Sequence, residues 1–221
     1  MSDGIISRAA NPRLSGRRIP WWLFLAVIAV TSAIAIASFA QWGTGSDGIL
    51  HITRYTARFA FLIFIVVFAA GALAQLFPSN ATRWLKRNRR YLGLSFALAH
   101  FIHLGAPSSY FAVIGEMPDT VTLIGGGGAY LLIAAMALTS NDWSIKTLGP
   151  KIWRRLHLTG IAYVWLIFMN SYIGRLVSEA PPEPRLIFAV TAGLGLLALG
   201  LRVFAWIARR RLGSVPRPSV L

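Results

Sequence analysis

Four side chains carry most of the chemistry that this chain offers within apolar surroundings. His100 and His103 lie three apart in NRRYLGLSFALAHFIHLG, and His157 follows the basic residues Lys151, Arg154 and Arg155 in LGPKIWRRLHLTGIAYVWLIFMN. Asn170 closes that second stretch. A neutral imidazole binds a metal through a bare ring nitrogen or passes a proton along. An imidazole placed inside a membrane helix is costly unless it has a partner, so it marks a functional site. The fourth histidine, His51, falls in a polar stretch and is expected to do nothing specific.

The elements that must position these groups are membrane helices. The 221 residues are 56% hydrophobic, which leaves no soluble mass for a nucleotide-binding domain. Apolar runs at 21–40, 59–76, 91–114, 121–138, 156–173 and 186–207 reach the roughly 18–22 residues that cross a hydrocarbon core. The fold class is therefore all-α: a polytopic six-helix bundle over residues 20–208, with basic tails at 1–19 and 209–221. The run at 21–40, ending in Ser38-Phe39-Ala40 as a passable cleavage site, has the look of a secretory signal. Its length of about 20 residues exceeds the usual apolar core of about 7–15, so it is expected to stay as the first span.

The net charge of +15 would suit a nucleic-acid binder, but its distribution does not. The basic residues flank the apolar runs: four in the N-terminal tail, five in the loop 77–90, four in the loop 139–155 and four after the sixth run. These belong to one side of the bilayer, which the positive-inside rule makes the cytoplasm, giving an N-in, C-in chain of the bacterial inner membrane. The lipid bilayer, not nucleic acid, is the partner this implies. With no Cys, disulfides, thiolate zinc, iron–sulfur clusters and covalently attached haem are excluded. Asp and Glu all fall outside the spans, which weakens a proton-driven carrier, and no inverted repeat is evident.

What remains inside suits an axially ligated cofactor, because helix bundles build such sites from facing helices and histidine is a frequent ligand of haem iron. Taking Tyr91 and Arg155 as the cytoplasmic edges, His100 lies ~14 Å deep, His103 ~18 Å, His157 ~3 Å and Asn170 ~22 Å. His100 and His103 share a face, so at most one of them ligates a given iron and the other hydrogen-bonds. A histidine at a helix end such as His157 also suits plain snorkelling. Trp143, Trp153, Trp165 and Tyr163 fit interfacial anchoring or packing on a cofactor. The run Gly125–Gly128 reads either as a close-approach surface or as a frayed helix end.

Arg89-Arg90-Tyr91-Leu92-Gly93-Leu94 followed by His103 resembles the RRxLGL…H pattern of ferric-reductase-like transmembrane domains. Ala137-Leu138-Thr139-Ser140, Leu148-Gly149, Trp153, Leu156-His157 and Tyr163 are similar to a second signature, that of the haem-binding membrane subunits of bacterial protein-methionine-sulfoxide reductase systems. His51-Ile52-Thr53 with Thr56-Ala57 resembles the entry to that family's second span. The resemblance covers about residues 45–175 and implies a bundle holding b-type haem. It implies electron flow from a cytoplasmic flavin reductase or quinol to a periplasmic acceptor, including a methionine sulfoxide reductase. It maps haem-iron ligands onto His103 and His157.

The family pattern sets a second fifth-span histidine thirteen residues after the first, where this chain has Asn170. Three outcomes stand open: five-coordinate haem on His103 with Asn170 hydrogen-bonding, a tilted haem between His100 and His157, or a bundle that has lost haem and serves as a non-redox scaffold. Arg54 and Arg58, one turn apart, are candidates to neutralise haem propionates or to snorkel to headgroups.

Overall fold

A bilayer offers the backbone no hydrogen-bond partner but itself, so each apolar run must close into a helix. The computed structural model describes residues 19–213 and contains α1 (Trp21–Trp42), α2 (Ser46–Leu76), α3 (Asn80–Arg87), α4 (Arg89–Ile114), α5 (Thr120–Leu138), α6 (Asp142–Val177) and α7 (Arg185–Gly213). All except α3 are long and apolar enough to cross a membrane. They alternate in direction, so α3, the α5–α6 link and the far end of α7 gather at one basic end. The expected tails at 1–18 and 214–221 lie outside the described residues.

Several boundaries differ from those expected. Helix α2 starts at Ser46, so His51 is helical: its ring stacks on Trp42 at 3.8 Å and its Nδ1 meets the Asp47 carbonyl at 2.9 Å. This contact staples the α1–α2 turn. Helix α4 continues unbroken through Gly105 and Pro107 to Ile114. Pro107 has no N–H for the carbonyl of His103, a loss that packed membrane helices tolerate. Arg209, Arg210 and Arg211, expected in a tail, are helical turns of α7.

The loop 77–90 folds into α3, capped by Ser79 with Thr82 in reciprocal hydrogen bonds and ending on Lys86 and Arg87. Basic residues in the last turn complement the helix dipole. Helix α6 contains a break at Gly149 (φ 74°), a left-handed conformation that glycine adopts without steric cost, followed by Pro150. The segment before the break turns back toward α4, where Arg90 donates to Asp142 Oδ1 at 2.8 Å.

Helix α2 is the axis, packing against α1, α4 and α7. In lipid, helix association rests on close packing and interhelical hydrogen bonds rather than on exclusion of water. The α2–α7 seam shows both: Arg202 donates to the Phe68 carbonyl at 2.9 Å with its guanidinium 4.3 Å from the Phe68 ring centroid, and Gln75 donates to the Ala205 carbonyl at 2.7 Å. Helix α6 meets α2 and α4 through side chains. Phe168 packs on Phe61 at 5.1 Å and on Phe64 at 5.4 Å, while Phe64 meets Phe96 at 5.3 Å. The glycine run of α5 is an intact helix, not a frayed end. Tyr163 Oη donates to the Gly125 carbonyl at 3.2 Å, and a Cβ at Gly128 would stand 2.8 Å from the Tyr163 hydroxyl.

Candidate functional site

The three-residue spacing of His100 and His103 puts both rings on the inward side of α4, with centroids 5.4 Å apart. His100 is 8% exposed and lies between Tyr130, stacked at 4.7 Å, and Phe168 at 5.6 Å. Its Nδ1 is buried without a hydrogen-bond partner. A buried polar atom left unpaired costs about 1–3 kcal/mol, so it calls for an explanation. His103 turns toward α2, where Thr56 Oγ1 lies 2.9 Å from its Nδ1.

His157 stands at the basic end of α6. Its ring stacks on Trp153 at 4.1 Å, and its Nε2 lies 3.2 Å from Thr139 Oγ1. Trp153 Nε1 donates to the Thr139 carbonyl at 2.9 Å, so residues 139, 153 and 157 lock the α5–α6 connection.

Beside His157 opens a cavity of ≈ 550 Å³ between α2, α4, α5 and α6. Its deeper walls are apolar, including Phe64, Phe96 and Ile133; Gly93 and Ala97 leave the space on the α4 side. Arg89 and Arg154 also line it, and no carboxylate does. Arg90, another wall residue, is engaged by Asp142. An apolar slot with an imidazole and guanidinium groups matches the needs of a planar apolar cofactor that carries acidic substituents. Among the described residues no three His, Cys, Asp or Glu side chains gather as a metal-ion cage.

Arg54 and Arg58 face Glu183 in the α6–α7 loop: Arg58 forms a close ion pair with it, and Arg54 Nε lies 4.0 Å away. Two guanidinium groups thus face one protein carboxylate. Asn170 lies on the exposed side of α6. The structure places His157 at a cavity that His103 does not line. Thr56, Thr139, Arg89 and Arg154 received no role in the sequence reading, although each stands inside or beside its motifs.

Fold and site together define a six-span helical membrane bundle with two imidazoles on α4, one on α6, and an apolar, basic-lined cavity between these helices. The chain is 29% identical over 188 residues to the protein-methionine-sulfoxide reductase heme-binding subunit MsrQ of Bordetella pertussis, covering 78% of this chain and 86% of that one. Identity is also 29% to the MsrQ subunits of Herminiimonas arsenicoxydans, over 86% of both chains, and of Yersinia pestis strain Pestoides F, over 84% of this chain and 91% of that one. The chain is homologous to these subunits. No protein-family profile matches it. No solved structure matches it either.

Proposed function

We propose that this protein is a membrane-embedded b-type haem protein that passes electrons across the bacterial inner membrane. The cavity beside His157 carries this reading, because it combines room, imidazole, guanidinium and apolar walls. The homologous MsrQ subunits are named heme-binding. His157 would offer the ligating nitrogen, and Arg89 and Arg154 would meet the propionates. His103, with its Nε2 unengaged, would hold iron in the opposite half. Bound haem supplies a one-electron carrier that cycles between ferric and ferrous iron.

The rest is the work of the chain. Phe64 and Phe96 shut water out of the deep side of the cavity, and Arg89 and Arg154 draw acidic groups to its mouth. The basic end faces the cytoplasm by the positive-inside rule, with both termini inside. Electrons enter there from a flavin reductase or quinol and leave past the aromatic cluster of Phe96, His100 and Phe168 toward a periplasmic acceptor, a methionine sulfoxide reductase. Protein vesicles loaded with ferricyanide and given reduced flavin outside test this transfer. Internal ferricyanide is expected to bleach at a rate that rises with the haem content of the vesicles; bleaching no faster than in empty vesicles would contradict it.

A second reading keeps the bundle as a non-redox scaffold for assembling other membrane proteins. Asn170 favours it, standing where the resemblance sets an imidazole and turned to an exposed face.

A further inference from the structure

Each presented imidazole touches one threonine, and the two contacts use different ring nitrogens: Nδ1 in His103 and Nε2 in His157. A hydroxyl has a single proton to donate. In both threonines the shorter contact is the carbonyl one turn back on the same helix, Ile52 O for Thr56 at 2.7 Å and Ala135 O for Thr139 at 2.7 Å. With the proton given there, the oxygen faces the imidazole with a lone pair, and the ring must donate. His103 then carries its hydrogen on Nδ1 and keeps Nε2 bare. His157 carries its hydrogen on Nε2 and keeps Nδ1 bare. Both settings are enforced locally: Thr56 is 2% exposed, and Trp153 clamps His157 and the Thr139 carbonyl together.

A histidine that ligates a metal almost always gives its other ring N–H to an acceptor, which fixes the tautomer and orients the ring. His103 is arranged in that way, and His157 is arranged in the opposite way. We infer that Thr56 and Thr139 are positioning residues of opposite sign for haem iron, a consequence that rests on the haem reading above. Thr56 presents Nε2 of His103 to iron. Thr139 occupies Nε2 of His157 and competes with iron for it, so the basic-end site opens only when that longer 3.2 Å contact is exchanged for the metal.

The tautomers are read without haem. Protein labelled with 15N-histidine, purified haem-free in detergent, is examined by NMR at about pH 8, above the ordinary imidazole range. Signals are assigned with His51→Gln and His100→Gln. His103 is expected as the Nδ1–H form and His157 as the Nε2–H form. Thr56→Val keeps the β-branched shape, and it should move His103 toward Nε2–H, with Thr56→Ser restoring the original form.

Haem is then titrated into the same preparations. In a His157→Ala background, Thr56→Val should weaken haem binding about ten-fold. In a His103→Ala background, Thr139→Val should strengthen it about five-fold. An Nε2–H form of His103 in the unaltered chain, unmoved nitrogen shifts in Thr56→Val, or weaker binding in Thr139→Val would each overturn the inference. If no preparation binds haem while the tautomers are as stated, the haem reading and the iron competition fall, and the two threonine settings stand.

Discussion

At the basic end, His157 borders ≈ 550 Å³ of open space walled by apolar side chains and guanidinium groups. In the opposite half, His100 and His103 belong to a packed aromatic cluster in which Tyr130 and Phe168 lie against the His100 ring. One half has room with its Nε2 engaged; the other has a ready Nε2 among close neighbours. Room and ligand readiness are thus set by different residues. Room comes from Gly93 and Ala97, where α4 presents little bulk, and readiness from a threonine on the adjacent helix. Aromatic pairs contribute about 0.5–1.5 kcal/mol each, so a cofactor entering the packed half displaces favourable contacts that the open half never made.

The sharpest way to break this comparison is to remove one imidazole at a time. His157→Ala is expected to cost the larger share of bound haem, with affinity at the cavity falling at least ~100-fold, beyond the loss typical of an outer-shell partner. His103→Ala should cost the smaller share. Equal losses, measured as haem per chain by pyridine haemochrome, would erase the distinction between the halves.

Filling the room tests the same point without touching a ligand. A Cβ at Gly93 would stand 4.0 Å from Val67 Cγ1, an ordinary contact, so Gly93→Leu is expected to fold. It should lower haem content about ten-fold while His103-dependent binding persists, consistent with the 1.4 kcal/mol that a factor of ten represents.

The charged groups at the far end separate structure from binding. Arg58 and Glu183 are largely covered, their side chains 18% and 12% exposed, so Arg58→Met leaves a shielded carboxylate with a weaker partner. A loss of about 2 kcal/mol of stability is expected, read by thermal unfolding in detergent, with haem content per folded chain unchanged. Arg89→Met should do the reverse, lowering haem content with little change in melting. A haem loss in Arg58→Met would instead support the propionate role expected from sequence.

The smallest effect is a pH dependence at the α4–α5 turn. The hydroxyl and the backbone N–H of Thr122 hydrogen-bond the Asp119 carboxyl, in that order of effect, and hold it below its ordinary value of 3.8. A depressed carboxyl favours the folded turn above that ordinary value, and the contribution is lost as the pH falls through the lowered one. Amide exchange at Thr122 should therefore quicken in acid in the unaltered chain, and show no such change in Asp119→Asn.

The six spans were legible because uninterrupted apolar runs have few alternatives in a bilayer. Their ends were less so. His51 read as loop chemistry, yet it sits on a helix and its ring finds Trp42. Pro107 falls inside the third run, and the one hydrogen bond it removes does not end a helix held by its neighbours. The imidazoles stood out because such groups are rare inside spans. Their threonine partners did not, since a threonine bonding back to its own helix looks the same in sequence whether or not a histidine lies beyond it. The pairing of Arg58 with Glu183, 125 residues apart, leaves no local trace at all.

The visible spectrum of the detergent-purified 221-residue chain, oxidised and then reduced with dithionite, with haem counted by pyridine haemochrome, tests the central claim most directly. The account predicts a Soret band, reduced α and β bands, and a stoichiometry that His157→Ala lowers more than His103→Ala. No Soret band from cells given ample haem would contradict it and leave the scaffold.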